Sequence, residues 1–133
     1  MPKVLISDSM SKVAQKIFEK NKISVDVKTG LPEEEIIKII PEYDGMVVRS
    51  ATKVTKNIIS AAKKLKVIGR AGAGVDNIDL TAAKENNMIV MNTPGANSNA
   101  TAELALSLIM SLLRKIPFAN ETTHKGMWEK KNI

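Results

Sequence analysis

Three stretches of this 133-residue chain have residue types suited to holding a small anion. The first is Arg49-Ser50-Ala51-Thr52, where a planar guanidinium fork matches a carboxylate or phosphate and two hydroxyls stand beside it. A surface arginine followed by a Ser/Thr helix cap is an equally open reading of the same residues. The second is Gly69-Arg70-Ala71-Gly72-Ala73-Gly74-Val75-Asp76, a glycine-rich turn whose backbone N–H groups can face an anion. Its glycines are spaced G-x-x-G-x-G, whereas a dinucleotide cradle needs G-x-G-x-x-G, so a plain tight turn stays open too. Asp76 and Asp79 suit turn and cap positions better than acid–base work. The third is Asn92-Thr93-Pro94-Gly95-Ala96-Asn97-Ser98-Asn99, whose amides and hydroxyls either line a cleft between domains or form a linker and helix cap. His124, the single histidine, has no acid at helical i+4 spacing and reads as a surface residue.

An alternation of strands and helices must position these stretches. Val4-Leu5-Ile6 is a short apolar run. Met10, Val13, Ala14, Ile17 and Phe18 then follow helical spacing. Ile23 to Val27 alternates with period two, as an edge strand does. Leu31-Pro32-Glu33-Glu34-Glu35 starts a helix with acids at its positive end, and Pro41 is expected to stop it. Met46-Val47-Val48 is a third strand, and Thr55 caps the helix after it. Lys66 to Gly69 is a fourth strand, Asp79 opens a short helix, and Met88 to Met91 is a fifth strand. This pattern predicts an α/β fold, a flavodoxin-like doubly wound parallel five-stranded sheet of order 2-1-3-4-5. Strands apolar on both faces predict a helix layer on each side. A long C-terminal helix is expected from about Ser98 to Ile116, ended by Pro117, with Leu104, Leu108, Ile109, Leu112, Leu113 and Ile116 as its apolar stripe. In open sheets of this class ligands bind beyond the carboxyl ends of the strands, where the three stretches fall.

Composition narrows the function. Hydrophobic residues at 44% suffice for a core, and aromatics at 3% make that core aliphatic. The absence of cysteine excludes disulfides and thiolate zinc sites, and one histidine excludes a His-rich metal cage. No metal site is expected. No apolar run approaches the roughly 20 residues of a membrane span. The net charge of +6 comes from lysines spread over helices, with only Arg49, Arg70 and Arg114 as arginines. A nucleic-acid surface calls for a clustered basic stripe instead.

Read together, Val48-Arg49-Ser50-Ala51-Thr52-Lys53-Val54-Thr55, the run from Gly69 to Asp79, and Met91-Asn92-Thr93-Pro94 followed by Ala102-Glu103-Leu104 resemble the D-isomer-specific 2-hydroxyacid dehydrogenases. Val4 to Asp8 and Gly126-Met127-Trp128-Glu129 are similar to that family as well, so the likeness covers the whole chain. The resemblance implies a two-domain NAD enzyme, with a substrate-binding domain and an inserted Rossmann nucleotide domain. It implies substrate contacts from Arg49 and Ser50 and from the turn Ala71, Gly72, Ala73 and Gly74. It places Ala73, Asn97 and Thr101 near the nicotinamide. Some relatives have threonine at the position of Ala73, so a side-chain hydrogen bond there is absent here. The family's catalytic Arg, Glu and His lie further along, so no catalytic residue is assigned in this chain.

On this likeness the chain is expected to be an N-terminal fragment, inactive alone. Residues 1–96 would be part of the substrate-binding domain, and residues 97–133 the entry helix and start of the nucleotide-binding domain. The expected substrate is a small 2-hydroxy acid, 3-phosphoglycerate, oxidised to 3-phosphohydroxypyruvate in L-serine biosynthesis. Glyoxylate/hydroxypyruvate reductase is the rival within the family. A stand-alone anion-sensing or corepressor-like module is the rival of another class. The resemblance further implies a cytoplasmic homo-oligomer in full-length form, with neither nucleic acid nor membrane as partner.

Overall fold

The computed structural model describes residues 1–133, which divide into two compact units, Met1–Gly95 and Ala96–Ile133. The first unit runs β1 (Lys3–Ile6), α1 (Lys12–Lys20), β2 (Ser24–Val27), α2 (Glu33–Ile39), β3 (Gly45–Val48), α3 (Lys56–Ala61), β4 (Val67–Arg70), α4 (Leu80–Glu85) and β5 (Ile89–Met91). All strand pairs are parallel and their order is β2-β1-β3-β4-β5, as the alternation predicts.

The helix starts follow local chemistry. Thr55 accepts the Ile58 amide at 3.4 Å, and Asp79 accepts the Ala82 amide at 2.9 Å, so both cap as expected. Pro41 follows the end of α2 at Ile39, as expected. It sits in a single 3-10 turn, Ile40–Glu42, that continues α2. Proline fits there because the first positions of a turn need no N–H donor.

The two faces of the sheet are not equal. Leu5, Met46, Val48 and Ile68 point to one face and form a closed core with Ile36 and Ile40 from α2 and its continuation, Ile58 and Ile59 from α3, and Ala82 and Ala83 from α4. On the other face α1 is alone. Val13 and Ile17 of α1 are exposed, and Phe18 flanks an apolar groove of about 420 Å³ with Val4, Gly45, Val47 and Val67. The expected second helix layer is therefore one helix only. The strand order explains this: only the β1–β2 connection runs leftward, so a consistent crossover hand sends one helix to this face and three to the opposite one.

At the amino edge of the strands Tyr43 is fully buried, and its hydroxyl donates to Asp26 at 2.7 Å. Lys3 Nζ pairs with the same carboxylate at 3.0 Å and lies 4.7 Å above the Tyr43 ring centre. Hydrogen bonds from Tyr43 and Lys3 hold the Asp26 carboxyl below its ordinary range. Burial, and then the bond to Asp26, push the Tyr43 phenol up.

The second unit is two helices, α5 (Ser98–Leu113) and α6 (Ile116–His124), then a short 3-10 turn at Lys130–Asn132. The expected single helix to Ile116 is broken. Lys115 takes a left-handed conformation, φ 47°, and Pro117 falls in the first turn of α6. Proline deep inside one long helix would lose a hydrogen bond and clash with the preceding turn, whereas a first turn accepts it. The apolar residues of α5 are exposed, and so is Trp128. No helix is long and apolar enough to cross a membrane.

Candidate functional site

The carboxyl end of β3 delivers Arg49-Ser50-Ala51-Thr52 into a loop, with Arg49, Ser50 and Ala51 exposed. Its backbone is held by Asp8, a buried residue just beyond β1. Asp8 Oδ2 accepts the Arg49 amide at 2.6 Å, both carboxylate oxygens accept the Thr52 amide at 3.1 Å, and the Thr52 hydroxyl donates at 2.5 Å. Burial pushes the Asp8 carboxyl up, but the Thr52 hydroxyl and the amides of Arg49, Thr52 and Ala51 outweigh it and hold the group below its ordinary value. From the other side Asn77 Nδ2 donates to the carbonyls of Arg49 at 2.7 Å and Thr52 at 2.6 Å. The Arg49 guanidinium donates to the Ser9 carbonyl at 3.1 Å, and the Ser50 hydroxyl stays free of protein partners.

The glycine-rich turn follows β4 and adjoins this loop: the Ala71 amide donates to Val48 O at 2.9 Å. A parallel bridge between Val54 and Ile78 binds the two loop exits further on. The Gly72 amide turns back to Arg70 O at 2.9 Å. Ala71 and Gly72 therefore have their N–H groups committed within the fold. Those of Ala73 and Gly74 remain available to an anion. The turn's own carbonyls are fixed from β5, with Asn92 Nδ2 donating to Ala73 O at 2.7 Å and the Thr93 amide to Gly72 O at 3.0 Å.

Arg70 explains the glycines. Its largely buried side chain folds back over the turn to pair with Asp76, which it holds below the ordinary carboxylate range. A Cβ on Gly74 would come within 3.1 Å of both the Arg70 guanidinium and the Asp76 carboxylate, and one on Gly72 within 3.4 Å of Arg70. Neither glycine has a positive φ, so room rather than backbone freedom is what these positions supply.

The remaining candidates lie in the second unit. Asn97 precedes α5 without capping it through its side chain, and Thr101 Oγ1 donates to Asn97 O at 2.9 Å. His124 ends α6, with Nδ1 against Asn120 O at 2.9 Å, as a surface position. No group of three or more metal-ligating side chains occurs.

Residue types alone did not single out Asp8, Asn77 or Arg70. The available signal was position, since Arg70 is the last residue of β4, Asp8 stands just past β1 and Asn77 lies in the loop that follows β4.

Residues 4–130 match the description of the D-isomer specific 2-hydroxyacid dehydrogenase, catalytic domain. The chain belongs to this family. It is 53% identical over 133 residues to a D-3-phosphoglycerate dehydrogenase of Synechocystis sp., covering 100% of this chain and 24% of that protein. It is 49% identical over 131 residues to the Homo sapiens D-3-phosphoglycerate dehydrogenase, covering 98% and 25%. The chain thus spans about a quarter of the length of these curated relatives. Among solved structures, the PH0520 protein of Pyrococcus horikoshii OT3 aligns with TM-score 0.82 at 35% identity over 97% of this chain and 38% of that one. The NAD+-bound 3-phosphoglycerate dehydrogenase of Entamoeba histolytica aligns with TM-score 0.73 at 35% identity over 83% and 38%.

Members of the 2-hydroxyacid dehydrogenase family include NAD-bound proteins, so the fit of a dinucleotide to these residues matters. The glycine-rich turn is no pyrophosphate cradle. Its spacing is wrong, and the next helix, α4, begins only at Leu80 and is six residues long. The residues present do not fit the dinucleotide's phosphates. They fit a small anion.

Proposed function

We propose that this chain supplies the substrate-holding part of an NAD-dependent 3-phosphoglycerate dehydrogenase, which oxidises 3-phosphoglycerate to 3-phosphohydroxypyruvate in L-serine biosynthesis. The observation that carries this reading is the edge beyond β3 and β4: an anchored, exposed Arg49 guanidinium and the free Ser50 hydroxyl adjoin a turn with the uncommitted amides of Ala73 and Gly74. The names borne by these relatives support the substrate.

In this reading Arg49 and Ser50 grip an anionic group of the substrate, Ala73 and Gly74 donate amides, and Ala71 and Gly72 frame the turn. Ala73, Asn97 and Thr101 stand as contacts toward the nicotinamide end, without a phosphate cradle. Residues 1–96 act as the substrate-binding domain and residues 97–133 lead into the nucleotide-binding domain. Hydride acceptance is the cofactor's chemistry, and no residue here is assigned as the base. A homo-oligomer and a cytoplasmic setting complete the reading, and the exposed apolar residues of α5 support the former.

Calorimetric titration with 3-phosphoglycerate tests it. A charge-assisted hydrogen bond contributes about 1.5–3 kcal/mol, so Arg49→Ala should weaken binding about 10- to 150-fold. Arg49→Lys should restore only part, because it keeps the charge and loses the fork. The melting temperature should hardly move, since the guanidinium is exposed. A sharp fall in melting temperature with unchanged affinity would make Arg49 structural and remove the assignment. The chain alone should form no NADH from NAD and 3-phosphoglycerate.

A further inference from the structure

The Arg49–Thr52 loop is gripped at both ends, from both sides, by opposite chemistry. Asp8 accepts the amides of Arg49 and Thr52 and the Thr52 hydroxyl, while Asn77 donates to the carbonyls of the same two residues. The peptide groups on both sides of Arg49 are thereby fixed, and the Ser9 carbonyl adds a hold on the guanidinium itself. We propose that Asp8 and Asn77 are positioning residues for Arg49, setting the direction of its guanidinium before an anion arrives.

Two features favour a positioning role over simple loop closure. Asp8 is a buried carboxylate two residues past the end of β1 and bonded to the Arg49 amide, and such a charge beside an anion-binding arginine would repel the ligand unless absorbed. Its oxygens are absorbed by the loop's own donors, so the amides facing inward are filled and the arginine is left as the outward cation. Asn77, for its part, leaves its buried Oδ1 without any partner in order to make the two donations. A buried unsatisfied acceptor calls for an explanation. Here it is the consequence of aiming one amide nitrogen at two carbonyls 2.6–2.7 Å away. Asn77 also belongs to the segment after the glycine-rich turn, and its own carbonyl accepts the Val54 amide at 2.8 Å. It therefore ties the two anion-facing segments into one piece. An ordered loop has no ordering entropy left to lose on binding.

This proposal rests on the reading of Arg49 as an anion ligand, and its test separates the two. In the 133-residue chain, amide hydrogen exchange at Arg49 to Thr52 is followed alongside titration with 3-phosphoglycerate. Asn77→Ala should speed exchange in this loop while the β1, β3 and β4 amides stay protected. It should weaken binding roughly 3- to 10-fold, the loss expected from about one neutral hydrogen bond. In an Arg49→Ala background the same substitution should add no further loss. Asp8→Asn should act in the same direction, as should Thr52→Val more weakly, since it removes one donor to Asp8 and keeps the amides, and Thr52→Val provides the reading if Asp8→Asn fails to fold. Equal losses with and without Arg49, or a loosened loop with unchanged affinity, would overturn the positioning role. So would unchanged loop exchange in Asn77→Ala. If the unsubstituted chain binds no 3-phosphoglycerate, the functional reading falls, and loop exchange alone then decides whether the clamp exists.

Discussion

Leu5, Ile40, Ile58 and Ile68 have no exposed surface, whereas Leu104, Leu108, Leu112 and Leu113 are 60%, 62%, 80% and 70% exposed, although all eight are aliphatic and lie in helical or strand segments. The first four belong to Met1–Gly95 and the others to Ala96–Ile133. Hydrophobic side chains are buried only where a second layer exists to receive them. The strand–helix repeat builds such a layer from its own crossovers, since each connection returns a helix to the sheet. Two successive helices have no comparable means of enclosing a stripe, and in α5 and α6 only Thr122 is buried.

The largest test of that contrast is a pair of substitutions. Ile58→Ala opens a void in a closed core and should lower the unfolding free energy by about 2–5 kcal/mol. Leu112→Gln exchanges an exposed apolar side chain for a polar one and should change it by less than about 0.5 kcal/mol, while raising solubility. Chemical denaturation of both variants checks this, and equal effects would erase the distinction between the units.

Acid sharpens the comparison next. The carboxyls held below their ordinary value, Asp8, Asp26, Asp44 and Asp76, all lie in the first unit. Groups with depressed values stabilise the fold above the unfolded carboxylate pKa of about 3.9 and lose that contribution as pH falls through the folded value. Below about pH 4 the first unit should therefore lose stability. Asp8→Asn should cost about 1.5–3 kcal/mol at neutral pH, from its bonds as a charged acceptor, and should flatten the acid limb of the curve. An acid limb unchanged by Asp8→Asn would contradict the bonding described.

The smallest effect concerns the amino edge. Tyr43→Phe keeps the ring under Lys3 and removes the donation to Asp26, so about 0.5–1.5 kcal/mol should be lost by thermal or urea unfolding. No loss would mean that the phenol does not stabilise the first unit.

Much of the fold was legible because it rests on local signals. The apolar runs at Val4, Met46 and Val67, the caps Thr55 and Asp79 and the alternation at β2 each agree with the order of the sheet. Two readings failed for reasons of context. Pro41 and Pro117 look alike as helix stops, yet only Pro41 follows the end of its helix, α2, whereas Pro117 falls in the first turn of α6, because their effect depends on where the preceding turn ends. The open face beside α1 was invisible because periodicity marks which residues are apolar and is silent on whether anything covers them. The ligand-facing residue types, Arg49, Ser50 and the glycines, could be picked out as candidates from their chemistry. Asp8 and Asn77 could not, since a carboxylate and an amide 69 residues apart reveal their joint purpose only when the sheet sets β1 beside β3 and the turn after β4.

The placement of the two scarcest aromatic residues makes each unit optically distinct. The single tyrosine, Tyr43, is sealed in the first unit with its hydroxyl on a carboxylate, and the single tryptophan, Trp128, is largely exposed in the second. An indole this exposed already sits in water, so its emission should hardly shift when the first unit melts. Tyrosine absorbance near its red edge changes when the phenol leaves its acceptor. One near-ultraviolet wavelength thus follows the unfolding of the first unit without any label, because the exposed indole of the second adds little change of its own.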